Sequence, residues 1–112
     1  MERLCFMFTI VEGTEEAYEK SHQEIWPELS AAILDVGYRN YSLFRRGTEI
    51  ICYGECVPDI KTVTQRMKDR HATLVDRWNK EMEQFIVKMT DENGALFIYD
   101  LIWHLDIDSS SE

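Results

Sequence analysis

The strand-forming stretches of this chain are apolar or aromatic on both faces. Leu4 to Val11 sets Phe6, Phe8 and Ile10 against Cys5, Met7 and Val11. That pattern has no solvent side and predicts a central, doubly covered strand. Near the other end, Phe97, Tyr99, Leu101 and Trp103 alternate with Leu96, Ile98 and Ile102, which predicts a strand over 96–105. A sheet built from such strands cannot stand bare in water on either side. Its faces need helices, a ligand or a second sheet.

The segments between supply those covers. Glu12-Gly13-Thr14 reads as a turn, with Thr14 as a helix cap. Tyr18, His22, Ile25, Trp26, Leu29, Ile33 and Val36 recur at helical spacing over about 15–36, and Gly37 ends the helix. Pro27 interrupts that helix because it removes a donor and crowds the preceding turn, so a break is expected between 23 and 27. Strands are expected over 38–45 and 49–57 around the Arg46-Gly47-Thr48 turn. A helix starting at Pro58 carries Ile60, Val63 and Met67. After a charged break at 68–70, a further helix groups Leu74, Val75, Trp78, Met82 and Phe85. Asp91 to Gly94 is a turn. The order βαββαβ is that of an α+β, ferredoxin-like split βαβ sandwich. One domain over residues 1–106 is expected, followed by a polar tail over 107–112. Pairing of two sheets face to face in a homodimer is one way to cover the second apolar face.

Composition excludes several functions. With 21 acidic and 12 basic residues the formal net charge is −9, which repels a phosphate backbone, so no nucleic-acid partner is expected. No apolar run reaches membrane-span length and the N-terminus lacks a leader pattern, so a cytoplasmic location without a membrane partner is expected. The three cysteines fit a reducing compartment. Cys52 and Cys56 fall about 13 Å apart on a strand, too far to pair or share a metal, and all three read as small buried hydrophobes. No compact His/Cys/carboxylate spacing and no glycine-rich phosphate loop is present, so neither metal nor cofactor is expected.

Chemistry is most legible around His22. Tyr18 lies four residues before it and Trp26 four after, all on one helical face. A histidine so placed is more often a hydrogen-bonded core residue than a catalyst. Two features shift the balance: its neighbours are rings with polar tips, and the helix breaks immediately after it. Its ordinary pKa near 6.5 suits proton transfer. Asn40, Tyr41, Tyr53, Glu55, Tyr99, Asp100, Trp103 and His104 come from strands that could converge on the same place. Singly each is weak; together they are the inventory of a carbohydrate site, flat rings with amides, phenols and carboxylates. His71 and the charges around it read as a solvated helix face.

The run Tyr18-x-x-x-His22-x-x-Ile25-Trp26-Pro27-Glu28-Leu29, then Gly37-x-x-Asn40-Tyr41-Ser42-Leu43, resembles the L-rhamnose mutarotase family. Arg77-Trp78 with Met82, and Ile102-Trp103-His104-Leu105-Asp106, fall where that family has similar segments. The resemblance implies a dimeric α/β-barrel that interconverts the anomers of a monosaccharide without cofactor. It implies His22 as proton donor, with Tyr18, Tyr41 and Trp78 binding the sugar; Trp26 and Asn79 are added as candidate contacts. Asn79 stands where some members have a second tryptophan, and Glu24 where some have a proline. The expected substrate is therefore a 6-deoxy-L-hexose, L-rhamnose first and L-fucose second. The same architecture also serves small monooxygenases, muconolactone-type isomerases and non-catalytic ligand-binding modules.

Overall fold

A computed structural model describes residues 1–105. Asp106 and the polar tail lie outside the described residues. The elements run β1 (Glu2–Ile10), α1 (Glu15–Gln23), α2 (Pro27–Val36), β2 (Tyr38–Arg46), β3 (Glu49–Cys56), α3 (Ile60–Met82), β4 (Ile86–Lys88) and β5 (Phe97–Ile98). The sheet order is β2-β3-β1-β4 with all pairs antiparallel. β5 also pairs with β1, through Phe6↔Ile98 and Met7↔Phe97, so β4 and β5 together occupy the fourth-strand position of the ferredoxin-like arrangement.

The helices cover one face only. Leu4, Phe6, Phe8 and Ile10 of β1 join Ile50, Cys52 and Cys56 of β3 in the core, closed over by Tyr18, Val36, Val63, Met82 and Phe85. The intervening residues Cys5, Met7, Ile51 and Tyr53 stay half-exposed. The expectation of a doubly covered β1 is thus corrected for the single chain, and Cys5 is not a core cysteine.

Local chemistry explains most element boundaries. Gly37 adopts φ +116°, and a Cβ there would sit 2.2 Å from the Val57 carbonyl oxygen; only glycine lets α2 turn so tightly into β2. Four expectations are revised. Thr14 does not cap α1 with its side chain; its hydroxyl donates to the Val11 carbonyl at 2.6 Å instead. The third helix starts after Asp59, whose carboxylate accepts the Thr62 N–H at 2.7 Å, because a side-chain acceptor fixes a helix start that Pro58 alone cannot. The charged stretch 68–70 remains helical, and the only departure falls at His71 (φ −134°, ψ 24°). The strand expected over 96–105 shrinks to Phe97–Ile98, while Ile86–Lys88 adds one that alternation did not reveal. β1 has room for both short strands on its free side, and residues 100–105 join no strand.

Candidate active site

The break between the first two helices falls where the proline put it. The Ile25 N–H donates to the His22 carbonyl at 3.2 Å, and the Trp26 carbonyl accepts from Leu29 and Ser30 as α2 begins with Pro27. His22 therefore occupies the last turn of α1, half-buried, where no further turn seals its ring.

Hydrogen bonding fixes that ring's tautomer. Nδ1 lies 3.2 Å from the Tyr18 carbonyl oxygen and 3.1 Å from Ser21 Oγ, while the Ser21 hydroxyl itself donates to the Tyr18 carbonyl at 2.6 Å. A carbonyl can only accept, so Nδ1 carries the proton and Nε2 keeps its lone pair. Nε2 has no protein partner among the described residues, and no buried side-chain atom there is left unsatisfied, so it opens onto space. Burial pushes the imidazole pKa below its ordinary value, with the bond to the Tyr18 carbonyl opposing that only in part. The resting group is a neutral imidazole with one free basic nitrogen.

The His22 ring lines a cavity of about 620 Å³ between the helices and the inner sheet face, a size ordinary for small-molecule sites. The lining is mostly apolar, with polar tips from Tyr18, Ser30, Tyr38, Tyr41, Cys52 and Asn79, and it contains no charged side chain. A smaller cavity of about 310 Å³ shares Tyr18, His22 and Leu43 and reaches the Glu19–Arg45 ion pair. His22 thus stands between an apolar chamber and a polar one. Tyr18 is 4% exposed, packs at 4.6 Å against the His22 ring, and has a hydroxyl with no protein partner among the described residues that is still not sealed. Burial, then the nearby Cys52, drives its phenol far up, so it keeps its proton as a donor.

Tyr41 reaches the cavity through a bulge. Strict alternation in β2 puts Tyr38 and Tyr41 on opposite faces. The β2–β3 register shifts between Arg39 and Ser42, and Asn40 takes the left-handed conformation at φ 50°, which returns Tyr41 to the Tyr38 side. The Asn40 amide donates to Glu55 Oε1 at 2.9 Å, and the Tyr53 hydroxyl donates to the other oxygen at 2.8 Å. Beneath, Gly54 leaves room for the Tyr41 ring; a Cβ there would lie 3.1 Å from it. The two tyrosine rings meet edge-on at 5.1 Å. Tyr41 is 40% exposed and lines the cavity, but its phenol is crowded by protein, and burial followed by Cys52 raises its pKa. Burial likewise pushes Tyr38 up to about 12 and the Cys52 thiol to about 11.

Five of the six sequence candidates line the cavity: His22, Tyr18, Tyr41, Trp78 and, at the rim, Asn79. Trp26 does not. It packs edge-on behind Trp78 at 5.1 Å under the Arg77 guanidinium, and Trp78 in turn meets His22 at 5.4 Å. Asn40, Tyr53 and Glu55 form their own network outside the cavity. Tyr99, Asp100, Trp103 and His104 also stay away, because the strand expected to carry them ends at Ile98; Trp103 is 75% exposed and His104 bonds Arg3 at 3.3 Å. Spacing missed Tyr38 and Ser30. The signal for Tyr38 was Asn40, a residue type that tolerates positive φ and so marks a bulge. Among the described residues no group of three His, Cys, Asp or Glu could hold a metal ion, and no helix is long and apolar enough to cross a membrane.

The sequence model described as L-rhamnose mutarotase matches residues 3–105. An L-rhamnose mutarotase from Oceanobacillus iheyensis is 27% identical over 108 residues, covering 95% of this chain and all of that relative. The crystal structure of an L-rhamnose mutarotase from Formosa agariphila superposes with a TM-score of 0.73 at 19% identity, over 95% of this chain and 100% of that one. A type-II polyketide cyclase, tetracenomycin F2 cyclase from Streptomyces glaucescens, has the same fold at a TM-score of 0.63 and 17% identity, over 93% and 96% of the two chains.

Proposed function

The chain belongs to the L-rhamnose mutarotase family, and from that premise we propose that it is a carbohydrate isomerase exchanging the α and β anomers of L-rhamnose. The observation that carries the reading is His22: a neutral imidazole, tied through Nδ1 and with Nε2 unpartnered among the described residues, lining a chamber that has no charged side chain. Such a chamber suits an uncharged ligand with one apolar side, and a pyranose bearing a methyl group in place of a hydroxymethyl is one.

Ring opening moves one proton and two electron pairs. His22 Nε2 takes the proton from the anomeric hydroxyl, whose electrons form the aldehyde as the bond from the anomeric carbon to the ring oxygen breaks. The imidazolium then gives that proton to the ring oxygen, which has received the bond's electron pair. This is the donor role expected of His22, reached by first acting as base. The Tyr18 hydroxyl, facing the same space, donates to the ring oxygen as charge develops there. Rotation about the adjacent carbon–carbon bond and closure on the other aldehyde face reverse each step. Trp78 and Tyr41 offer ring surfaces to the sugar's C–H face. With no carboxylate among the lining residues, His22 is the one general base that the chamber offers.

L-Fucose is the second reading, favoured by Asn79, an amide at the rim beside Trp78 that can bond a differently oriented hydroxyl. Magnetisation-transfer NMR on both sugars tests the proposal. Faster anomer exchange of L-rhamnose in the presence of protein is expected, and exchange at the uncatalysed rate for both sugars refutes it. The half-exposed outer sheet face, with Val87, Ile98 and Leu101 exposed beside it, supports pairing of two copies.

A further inference from the structure

Cavity length exceeds what a monosaccharide held by His22 fills. Two independent rulers give its extent. On α3 the lining runs from Trp78, which touches His22, down to Met67, eleven residues or about 16 Å away at ~1.5 Å per residue. On β2 it runs from Leu43, which also borders the small polar cavity at His22, to Tyr38, again about 16 Å at ~3.3 Å per residue. The helices keep this orientation throughout: Arg77 pairs with Glu28 at the His22 end, and His71 with Asp35 at the other. A 6-deoxyhexose has eleven non-hydrogen atoms, which fill at most about 330 Å³ even if each is given water's ~30 Å³ share of liquid volume. That is roughly half of the 620 Å³. Away from His22 the lining passes Val75 and Ser30 to Ile33, Leu34 and Met67, with Tyr38 the polar group at the far end. That stretch offers too few partners for the hydroxyls of a second sugar. Leu34 is 56% exposed, so the extension is reached from solvent.

We propose that the extension binds an apolar O-substituent on a 6-deoxyhexose whose anomeric hydroxyl is free, so that substituted sugars are substrates in preference to the bare one. The inference rests on the mutarotase reading above. The substituent lies along Met67, Val75 and Ile33 while the anomeric carbon stays at His22 Nε2, and the chemistry of the ring is unchanged. Methionine at the far end suits such a site, since its flexible thioether adapts to varied apolar shapes.

Magnetisation-transfer NMR on free L-rhamnose and on its 2-O-, 3-O- and 4-O-benzyl ethers decides the matter. At least one ether is expected to show kcat/KM roughly tenfold to a hundredfold above the free sugar, the scale on which apolar pockets discriminate. Met67→Trp, which fills the extension, is expected to bring that ether down to the free-sugar value. All three ethers at or below the free sugar overturn the inference while leaving the mutarotase reading in place; no acceleration of any sugar overturns both. If circular dichroism shows Met67→Trp to be unfolded, the ether panel on the native chain decides alone.

Discussion

At the scale of single residues, the proposed mechanism depends on keeping one nitrogen unprotonated. Burial lowers the His22 pKa below 6.5, so kcat/KM should be flat through neutral pH and fall in acid with a midpoint below 6.5, as measured by anomer exchange across pH. The same shift affects stability. Below pH 6.5 the unfolded chain binds a proton that the native chain does not, so stability drops as pH falls from 6.5 through the native pKa and is unaffected above. Tyr18→Phe separates ring from hydroxyl: the ring still packs on Phe8 and Phe85, at 6.2 and 5.8 Å. Since that hydroxyl has no protein partner among the described residues, the melting temperature should hardly move. Loss of the donor should cost about 10²–10³ in kcat; an unchanged kcat removes Tyr18 from the mechanism. His22, Tyr18 and Trp78 were legible in the sequence because helical spacing puts residues four apart on one face. Trp26 misled for the same reason: the break that Pro27 imposes turns it from that face, and spacing cannot say by how much.

At the scale of elements, the bulge in β2 is what turns a strand into a wall of the site. Asn40→Val forces a β-branched residue into a left-handed backbone and should cost about 1–3 kcal/mol. It also lets Tyr41 rotate out of the cavity, lowering kcat/KM about tenfold. Asn40→Gly, which accepts positive φ, should keep kcat/KM within about twofold, although it also loses the bond to Glu55. Equal damage from both variants means that the Asn40–Glu55 bond, and not the backbone, holds Tyr41. Helix and strand order was readable from period and punctuation, and Gly37 and Pro27 placed their boundaries closely. The C-terminal strand was not, because an apolar alternation from Leu96 to Leu105 signals only that side chains seek cover. Pairing depends on which edge is free, and β1 offers a short one shared with β4.

At the scale of the whole molecule, the same unspent alternation points outward. Ile102 is 93% exposed and the outer sheet face is half-exposed, and exposed apolar surface that is contiguous marks an interaction site. Light scattering should give twice the chain mass of 13.3 kDa, and Met7→Glu, at the middle of that face, should give the single mass. Each copy carries a net charge of −9, so the pair should loosen at low ionic strength. His22→Ala, with circular dichroism confirming the fold, is the most direct test of the site itself. L-Rhamnose is monitored by saturation transfer for binding and by magnetisation transfer for anomer exchange. Retained binding, with acceleration reduced by about 10²–10⁴, is the predicted result; a folded variant that still exchanges anomers at the native rate contradicts it.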